Sequence, residues 1–267
     1  MITSLSTWAL FSALFLGAWN GHHFEKAFLF LMMLAAYALA RRFDLMKFQK
    51  ALALVLFAVI ALDFFRIIEL PFPVAETYLW GMAKRPNILQ PNLLACYALL
   101  LPWGWWTPLS ALMCTSRGAL IGWMASMMAQ HTKWLKVIIP AALVLIGLLF
   151  TFRFTSVTYR VDIFIMAIQD FIAHPFFGVG TGNFVNPADG MRIAHNAALT
   201  IAAENGLSGL IPFIAWVIGI FIRARKSAST MRWGLLAFGI QQLFDDQWLD
   251  PIASVLLGMS IAEVEKS

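Results

Sequence analysis

The chain has 267 residues, of which 61% are hydrophobic and 12% charged, and its mean hydropathy is +0.76. A soluble domain cannot bury that much apolar surface, and the long apolar runs lack the two-residue alternation of barrel strands. The net charge of +5 requires no nucleic-acid partner, because cytoplasmic loops of membrane proteins are basic. We therefore expect an all-α, polytopic integral membrane protein in the lipid bilayer, with residues 1–267 as a single transmembrane domain.

Apolar runs long enough, or nearly long enough, to cross hydrocarbon about 30 Å thick recur along the chain. The predicted spans are 4–20, 26–40, 51–68, 89–103, 134–152 and 196–222. Two further stretches, 105–131 and 233–262, are interrupted by polar residues, so each could be one long helix or a hairpin of two short ones.

Basic loops decide between these alternatives. Loops 41–50 and 223–232 are rich in Lys and Arg, so the positive-inside rule places both in the cytoplasm. Both stay inside only if 105–131 is a hairpin with Arg117 at its outer tip, and by the same logic 233–262 is a second hairpin. The predicted topology has about ten crossings, with loop 153–195 outside.

Three smaller expectations follow from the same runs. Lys26 is the first basic residue, so we expect the first apolar run to be retained rather than cleaved as a signal peptide. Cys96 and Cys114 both lie in apolar runs and should be buried thiols rather than a disulfide. Trp248 falls near a predicted span end, where an indole favours the membrane interface.

Arg117 interrupts an otherwise apolar stretch. A guanidinium at membrane depth costs roughly 2.5–3.5 kcal/mol on insertion scales, and arginine cannot lose its proton to avoid that cost. It either extends to the interface or meets an anion. The sequence therefore makes Arg117 a candidate anion-binding residue.

The outer loop 153–195 carries further polar groups. Apolar residues at three- and four-residue spacing after Arg160 predict an amphipathic helix that lies on the outer membrane surface and stops at His174-Pro175. A turn rich in glycine follows, and Arg192 and His195 close the loop. No strand precedes the glycines, so a dinucleotide-binding motif is excluded.

These groups favour a phosphate ligand. The planar guanidinium of arginine makes paired hydrogen bonds to diphosphate groups. Histidine, which titrates near neutrality, suits a general base. Each has a simpler alternative: Arg160 and Arg192 could anchor the loop to lipid, and His195 could only begin a helix with Asn196. The sequence alone leaves these alternatives open.

Three glycines and one acid accompany the charged groups. We expect Gly178, Gly180 and Gly182 to permit backbone geometry closed to other residues and to support the loop near a substrate. Glu204 is either a buried structural acceptor or a partner of the site.

The order of these elements resembles the O-antigen ligase and polymerase family. The resemblance covers about residues 85–215 and rests on these motifs: Arg85-Pro86-Asn87-Ile88-Leu89-Gln90-Pro91-Asn92; Ser116-Arg117-Gly118-Ala119; Arg160; the run His174-Pro175-Phe176-Phe177-Gly178-Val179-Gly180-Thr181-Gly182-Asn183-Phe184; Ala194-His195-Asn196; and Glu204-Asn205-Gly206.

The resemblance implies a metal-independent, inverting glycosyltransferase without a cofactor. Its donor would be an undecaprenyl-diphosphate-linked glycan, and its acceptor a lipid or glycan hydroxyl in lipopolysaccharide or polysaccharide biosynthesis. Arg117 and Arg160, with Arg192 as a further candidate, would hold the diphosphate, and His195 would activate the acceptor. Residues 153–195 would then be the outer-face catalytic loop.

Other functions stay open at this point. A polysaccharide polymerase of the same family would share the motifs, and a transporter or flippase of a lipid-linked anion could use Arg117 for binding. A catalytically silent partner protein is a third possibility. Asp245 and Asp246 could hold a divalent metal, or could simply end a span and stay in water.

Overall fold

The computed structural model describes residues 5–21, 24–65, 67, 78–79, 83–84, 91–102, 104–114, 116–130, 155–185 and 194–267. Within these ranges the chain forms ten helices: α1 Leu5–Gly21, α2 Glu25–Arg42, α3 Met46–Phe64, α4 Pro91–Leu100, α5 Trp106–Met113, α6 Arg117–Gln130, α7 Thr155–Ala173, α8 Ala197–Lys226, α9 Met231–Gln241 and α10 Pro251–Lys266. A two-residue antiparallel hairpin pairs β1 Tyr78–Leu79 with β2 Ala83–Lys84. The all-α prediction is confirmed.

One described helix, α8, is long and apolar enough by length and composition to cross a membrane, and α1 contains the shorter apolar stretch Leu5–Trp19. The predicted span 134–152 lies outside the described residues. The number of crossings therefore stays a prediction.

The helix in the predicted span 89–103 is shorter than expected. Helix α4 has ten residues, about 15 Å at the α-helical rise, which is half the hydrocarbon thickness. It ends because Pro102 disfavours helical geometry at Leu101. Its residues from Leu94 onward are buried, so α4 is a core helix.

Stretch 105–131 is two helices, as predicted. Helices α5 and α6 are separated by residues 114–116, and Arg117 is the first residue of α6. Stretch 233–262 likewise consists of two helices, α9 and α10, joined by residues 242–250.

The bundle has two ends with different chemistry. At the first end, called the basic end, Arg223 pairs with Glu265 at 3.1 Å and Lys266 Nζ donates to the Phe43 carbonyl at 2.8 Å. Arg41 and Lys226 line a cleft there with Arg223. At the opposite end lies the turn of residues 242–246, called the site turn.

Helix α7 ends just before His174-Pro175, as predicted, but its apolar residues face two ways. Ile163 and Ala167 are buried against the rest of the protein. The remaining aliphatic face is 43–69% exposed and consists of Val161, Ile165, Ile168 and Ile172. This face has no partner within the described part of the chain.

Helix α8 is interrupted at Gly206, where φ is +59° and ψ is −152°. The glycine-rich loop, residues 175–182, makes backbone hydrogen bonds to α8 on both sides of the interruption. The amides of Val179 and Gly180 donate to the carbonyls of Ala203 and Glu204, at 2.9 and 2.8 Å. In return, the amides of residues 207 and 208 donate to the carbonyls of residues 175 and 176, at 2.8 and 3.1 Å. The loop thereby bonds helix-end groups that a break leaves without partners.

The core contains an aromatic cluster around Trp248. This indole is 3% exposed and packs against Phe30, Phe213 and Trp216 with ring centroids 5.2–6.1 Å apart. The predicted interfacial position of Trp248 is wrong, because the turn between α9 and α10 folds back onto the bundle. Cys96 and Cys114 are fully buried thiols, as predicted.

Candidate active site

Three carbonyls of the site turn accept hydrogen bonds from distant parts of the chain. Arg160 Nη1 donates to the Phe244 carbonyl. Asn196 Nδ2 donates to the Leu243 carbonyl at 3.1 Å, and the Ala197 amide donates to the Gln242 carbonyl at 3.0 Å. The site turn thus fixes α7 and the start of α8 relative to each other.

His195 meets the same turn through its side chain. Its Nδ1 lies 3.4 Å from Asp245 Oδ1, and the side chain is 15% exposed. A carboxylate beside Nδ1 favours the tautomer that carries its proton there, which leaves Nε2 as the acceptor. His195 also has a φ of +52°, the one non-glycine residue with a positive φ in the described ranges. Such backbone strain costs about 1–3 kcal/mol and is concentrated at functional sites.

Asn196 explains how α8 begins. Its Oδ1 accepts from the Leu199 amide at 3.0 Å, the usual N-cap bond. The same side chain reaches the site turn through Nδ2. His195 is therefore held between a helix cap and a buried carboxylate.

Two arginines lie at this end. Arg160 is partly buried, and its contact with Phe244 takes one of the five N–H donors of a guanidinium. Arg117 is also partly buried and begins α6, whose second residue, Gly118, lies against the turn: a Cβ there would be 3.3 Å from Phe244 Cβ. The N-terminus of α6 adds a partial positive charge to the same region.

The structure brings Arg160, His195 and Asn196 to one turn, with the start of the helix that carries Arg117 against it. Arg192 lies outside the described residues, as do residues 85–90 of the family-like motif. The remaining predicted site residues are the three glycines and Glu204. The glycines belong to the loop that bonds to α8, and Glu204 pairs with Lys26.

The glycines hold the loop against the protein. Gly178, Gly180 and Gly182 have φ values of +66°, +99° and +80°. A Cβ on Gly178 would lie 2.2 Å from the Glu204 carbonyl carbon. The expectation that they permit unusual backbone geometry is confirmed, and their contact here is with α8.

Glu204 has the arrangement of a buried acceptor. Its side chain is 1% exposed, both carboxylate oxygens lie 2.7 Å from Lys26 Nζ, and the Gly182 amide also donates to it. The ion pair joins α2 to α8. Lys26 was not among the predicted site residues, because 178 positions separate it from its partner.

Asp245 is buried and Asp246 is partly buried. Asp245 is 5% exposed and accepts from Gln247 Nε2 at 3.1 Å, so the expectation that it stays in water is wrong. Asp246 accepts from the Thr200 hydroxyl, and burial raises the pKa of its carboxyl, an effect that the nearby Lys26 opposes. Within the described ranges, no group of three or more His, Cys, Asp or Glu side chains is placed to hold a metal ion.

Compared with known proteins, the chain matches no protein-family model and no curated protein. The geometry and the motifs define a site in which the Arg160 guanidinium and an imidazole beside a buried carboxylate meet on one turn, with the start of the Arg117 helix against that turn.

Proposed function

We propose that this protein is a membrane glycosyltransferase of the O-antigen ligase type. It moves a glycan from an undecaprenyl-diphosphate-linked donor to a lipid or glycan hydroxyl at the outer face of the inner membrane. The observation that carries the proposal is the meeting of Arg160 and His195 on the site turn, beside the start of the helix that carries Arg117.

The membrane topology that we propose has about ten crossings, with the site facing the periplasm or exterior. Many large apolar side chains are exposed along the helices, including a stripe on α8 at residues 211, 214, 218 and 222. Basic side chains gather at the end of the bundle opposite the site turn, which favours a cytoplasmic position for the basic end. The exposed face of α7 suits a helix that lies in the membrane interface.

The chemistry needs three roles. The two guanidinium groups bind the diphosphate and stabilise the charge that develops on it as it leaves. His195 Nε2 takes the proton of the acceptor hydroxyl, while Asp245 holds the ring and stabilises the imidazolium. The hydroxyl oxygen forms a bond to the anomeric carbon as the bond from that carbon to the diphosphate oxygen breaks, so the configuration inverts.

The test is reconstitution of the purified protein in vesicles with a labelled polyprenyl-diphosphate oligosaccharide and a panel of acceptors. We expect His195→Ala to lower the turnover by at least about 100-fold, because a general base contributes roughly 10²–10⁴-fold. His174→Ala is the matched control, since this histidine is exposed in the same loop and should leave turnover unchanged.

Arg117→Ala and Arg160→Ala should also abolish transfer in protein that still inserts. Near-wild-type turnover in His195→Ala would overturn the proposed mechanism. The acceptor panel separates a ligase, which uses a different lipid or glycan, from a polymerase, which uses a second donor repeat.

A transporter is the second candidate, because one observation favours it: α8 is interrupted at Gly206, and broken helices mark substrate sites in many transporters. The same vesicles distinguish the two functions. A transporter would move the labelled lipid across the bilayer and form no new glycosidic bond.

A further inference from the structure

A second cleft lies at the basic end, between the ends of α6 and α8 and the start of α9. Its volume is about 400 Å³, and its lining includes Phe221, Arg225, Arg232, Trp233 and Leu236. A cavity needs only roughly 10–15 Å³ on this measure to hold one water. The cleft, called here the tryptophan cleft, therefore has room for a ligand much larger than water.

The charged groups that line the tryptophan cleft are cations. Arg225 and Arg232 contribute guanidinium groups, and no Asp or Glu is among the described residues of the lining. Arg225 is exposed and makes no hydrogen bond or ion pair with any residue that the structure describes. A guanidinium presents five N–H donors in a planar arrangement that suits carboxylate and phosphate groups. The cleft therefore favours an anionic ligand.

Arg232 is held in place by two contacts. Its Nη1 donates to the Ser227 carbonyl, and its guanidinium carbon lies 4.6 Å from the centre of the Trp233 ring. Because these contacts already restrict the side chain, less conformational entropy is lost when the guanidinium binds an anion. One arginine of the cleft is thus preorganised, and the other is free to move toward the ligand.

The rest of the lining selects among anions. Phe221, Trp233 and Leu236 are half-buried and give the cleft an apolar wall. An indole beside basic side chains is typical of a membrane interface. Free phosphate would gain nothing from the apolar wall, whereas an amphipathic anion would remove its own apolar surface from water there. The lining therefore favours an anion that carries an apolar chain.

An exposed apolar stripe on α8 leads to this cleft. The stripe residues are 45–62% exposed, and Arg225 continues their three- and four-residue spacing; they are Ile211, Ile214, Ile218 and Ile222. From the first isoleucine to Arg225 the distance is about 21 Å at the α-helical rise, and the hydrocarbon of one leaflet is about 15 Å thick. The stripe is therefore long enough for the acyl chains of a lipid whose headgroup lies beside the arginine.

We propose that the tryptophan cleft binds the headgroup of an anionic phospholipid. Arg225 and Arg232 donate to the phosphate oxygens, and the apolar wall and the isoleucine stripe contact the acyl chains. On the proposed topology this lipid belongs to the cytoplasmic leaflet. The inference requires that α8 lies in a bilayer, and it does not depend on glycosyl transfer.

Native mass spectrometry of the purified, delipidated protein tests the proposal. The probes are phosphatidylglycerol, phosphatidylcholine with the same acyl chains, and inorganic phosphate. We expect phosphatidylglycerol to bind at least about fivefold more tightly than phosphatidylcholine, since one basic side chain near an anionic headgroup contributes about that factor. Inorganic phosphate at the same concentration should not displace the lipid.

Arg225→Gln should weaken the binding of phosphatidylglycerol about fivefold and leave that of phosphatidylcholine unchanged. Arg42→Gln is the matched control, because it makes the same chemical change at an exposed position of the basic end outside the cleft. It should bind both lipids like the parent protein. Arg232→Gln should also weaken phosphatidylglycerol binding, and its melting temperature shows whether losing the Ser227 contact disturbs the fold.

Three results would overturn the proposal. Equal affinity for the two lipids, or parent-like phosphatidylglycerol binding in Arg225→Gln, would remove the lipid site. An equal loss of binding in Arg42→Gln would show that the whole basic end attracts the lipid without a specific cleft. Displacement of the lipid by inorganic phosphate would make the cleft a phosphate site. Lipid binding is measured without any donor or acceptor, so its failure is distinguishable from a failure of glycosyl transfer.

Discussion

The pair formed by His195 and Asp245 combines backbone strain with an orienting contact. His195 occupies the left-handed region, and its Nδ1 lies 3.4 Å from the carboxylate. Hydrogen bonds at catalytic groups are often long before a substrate is bound, so on the proposed function this distance suits a pair that shortens during the reaction. The carboxylate favours the tautomer in which Nδ1 carries the proton.

Replacing Asp245 tests this role directly. Asp245→Asn keeps the side-chain volume but presents an amide that no longer selects the tautomer. We expect kcat to fall roughly 10²–10⁴-fold, the range for a misaligned general base, while the KM for the lipid-linked donor stays unchanged. Steady-state kinetics in the reconstituted assay measures both. A kcat within twofold of the parent would mean that the contact does not orient the imidazole.

At this scale the sequence predicts the arginines, the histidine and the helix cap, because their order along the chain carries the family-like pattern. It cannot predict the Asp245 partner, since 50 residues separate the two side chains and their contact depends on the turn between α9 and α10. The ion pair between Lys26 and Glu204 cannot be predicted from the sequence for the same reason. Pairings between distant helices depend on packing that local patterns do not encode.

The interrupted helix α8 is the main feature at the scale of elements. Hydropathy predicts one continuous span at 196–222, because an isolated glycine is tolerated within a helical pattern. The structure instead divides the helix at Gly206, where the glycine-rich loop replaces the missing backbone bonds. The loop and the two halves of α8 therefore depend on one another.

A substitution in the loop should lower stability even without touching a charged group. In Gly178→Ala, the new Cβ meets the α8 backbone at 2.2 Å and forces a strained φ, so we expect a loss of at least about 1–3 kcal/mol. Gly219→Ala is the matched control: the added Cβ would have no atom of the described residues within 4 Å, and alanine is favoured over glycine in a helix by about 1 kcal/mol. Thermal unfolding followed by tryptophan fluorescence compares the two variants. Equal melting temperatures of the two variants would show that the glycine-rich loop does not stabilise α8.

At the scale of the whole molecule, the basic end and the site turn lie at opposite ends of the helices. Arg223 pairs with Glu265 at one end, and His195 meets Asp245 at the other. The sequence predicts this polarity through its basic loops, although the helix lengths at residues 89–103 differ from the predicted span. Hydropathy locates an apolar run, and packing decides how much of it is helical.

Cysteine labelling tests the polarity. His174→Cys places a thiol at an exposed position of the outer loop, and Ala228→Cys places one at an exposed position of the basic end. The native cysteines are fully buried and should label slowly. We expect an impermeant maleimide to label position 174 in intact cells and position 228 only after the membrane is opened. Labelling of both positions in intact cells would contradict the topology.

The position of the site turn in the chain has a consequence for biosynthesis. Arg117, Arg160 and His195 leave the ribosome well before residues 242–246, the segment that Arg160 and His195 contact. A nascent chain that stops before the last helical hairpin therefore carries the basic and imidazole groups without the segment that aligns them. On the proposed function, transfer activity therefore requires that residues 242–246 have been synthesised, so shorter nascent chains would leave the lipid-linked donor intact.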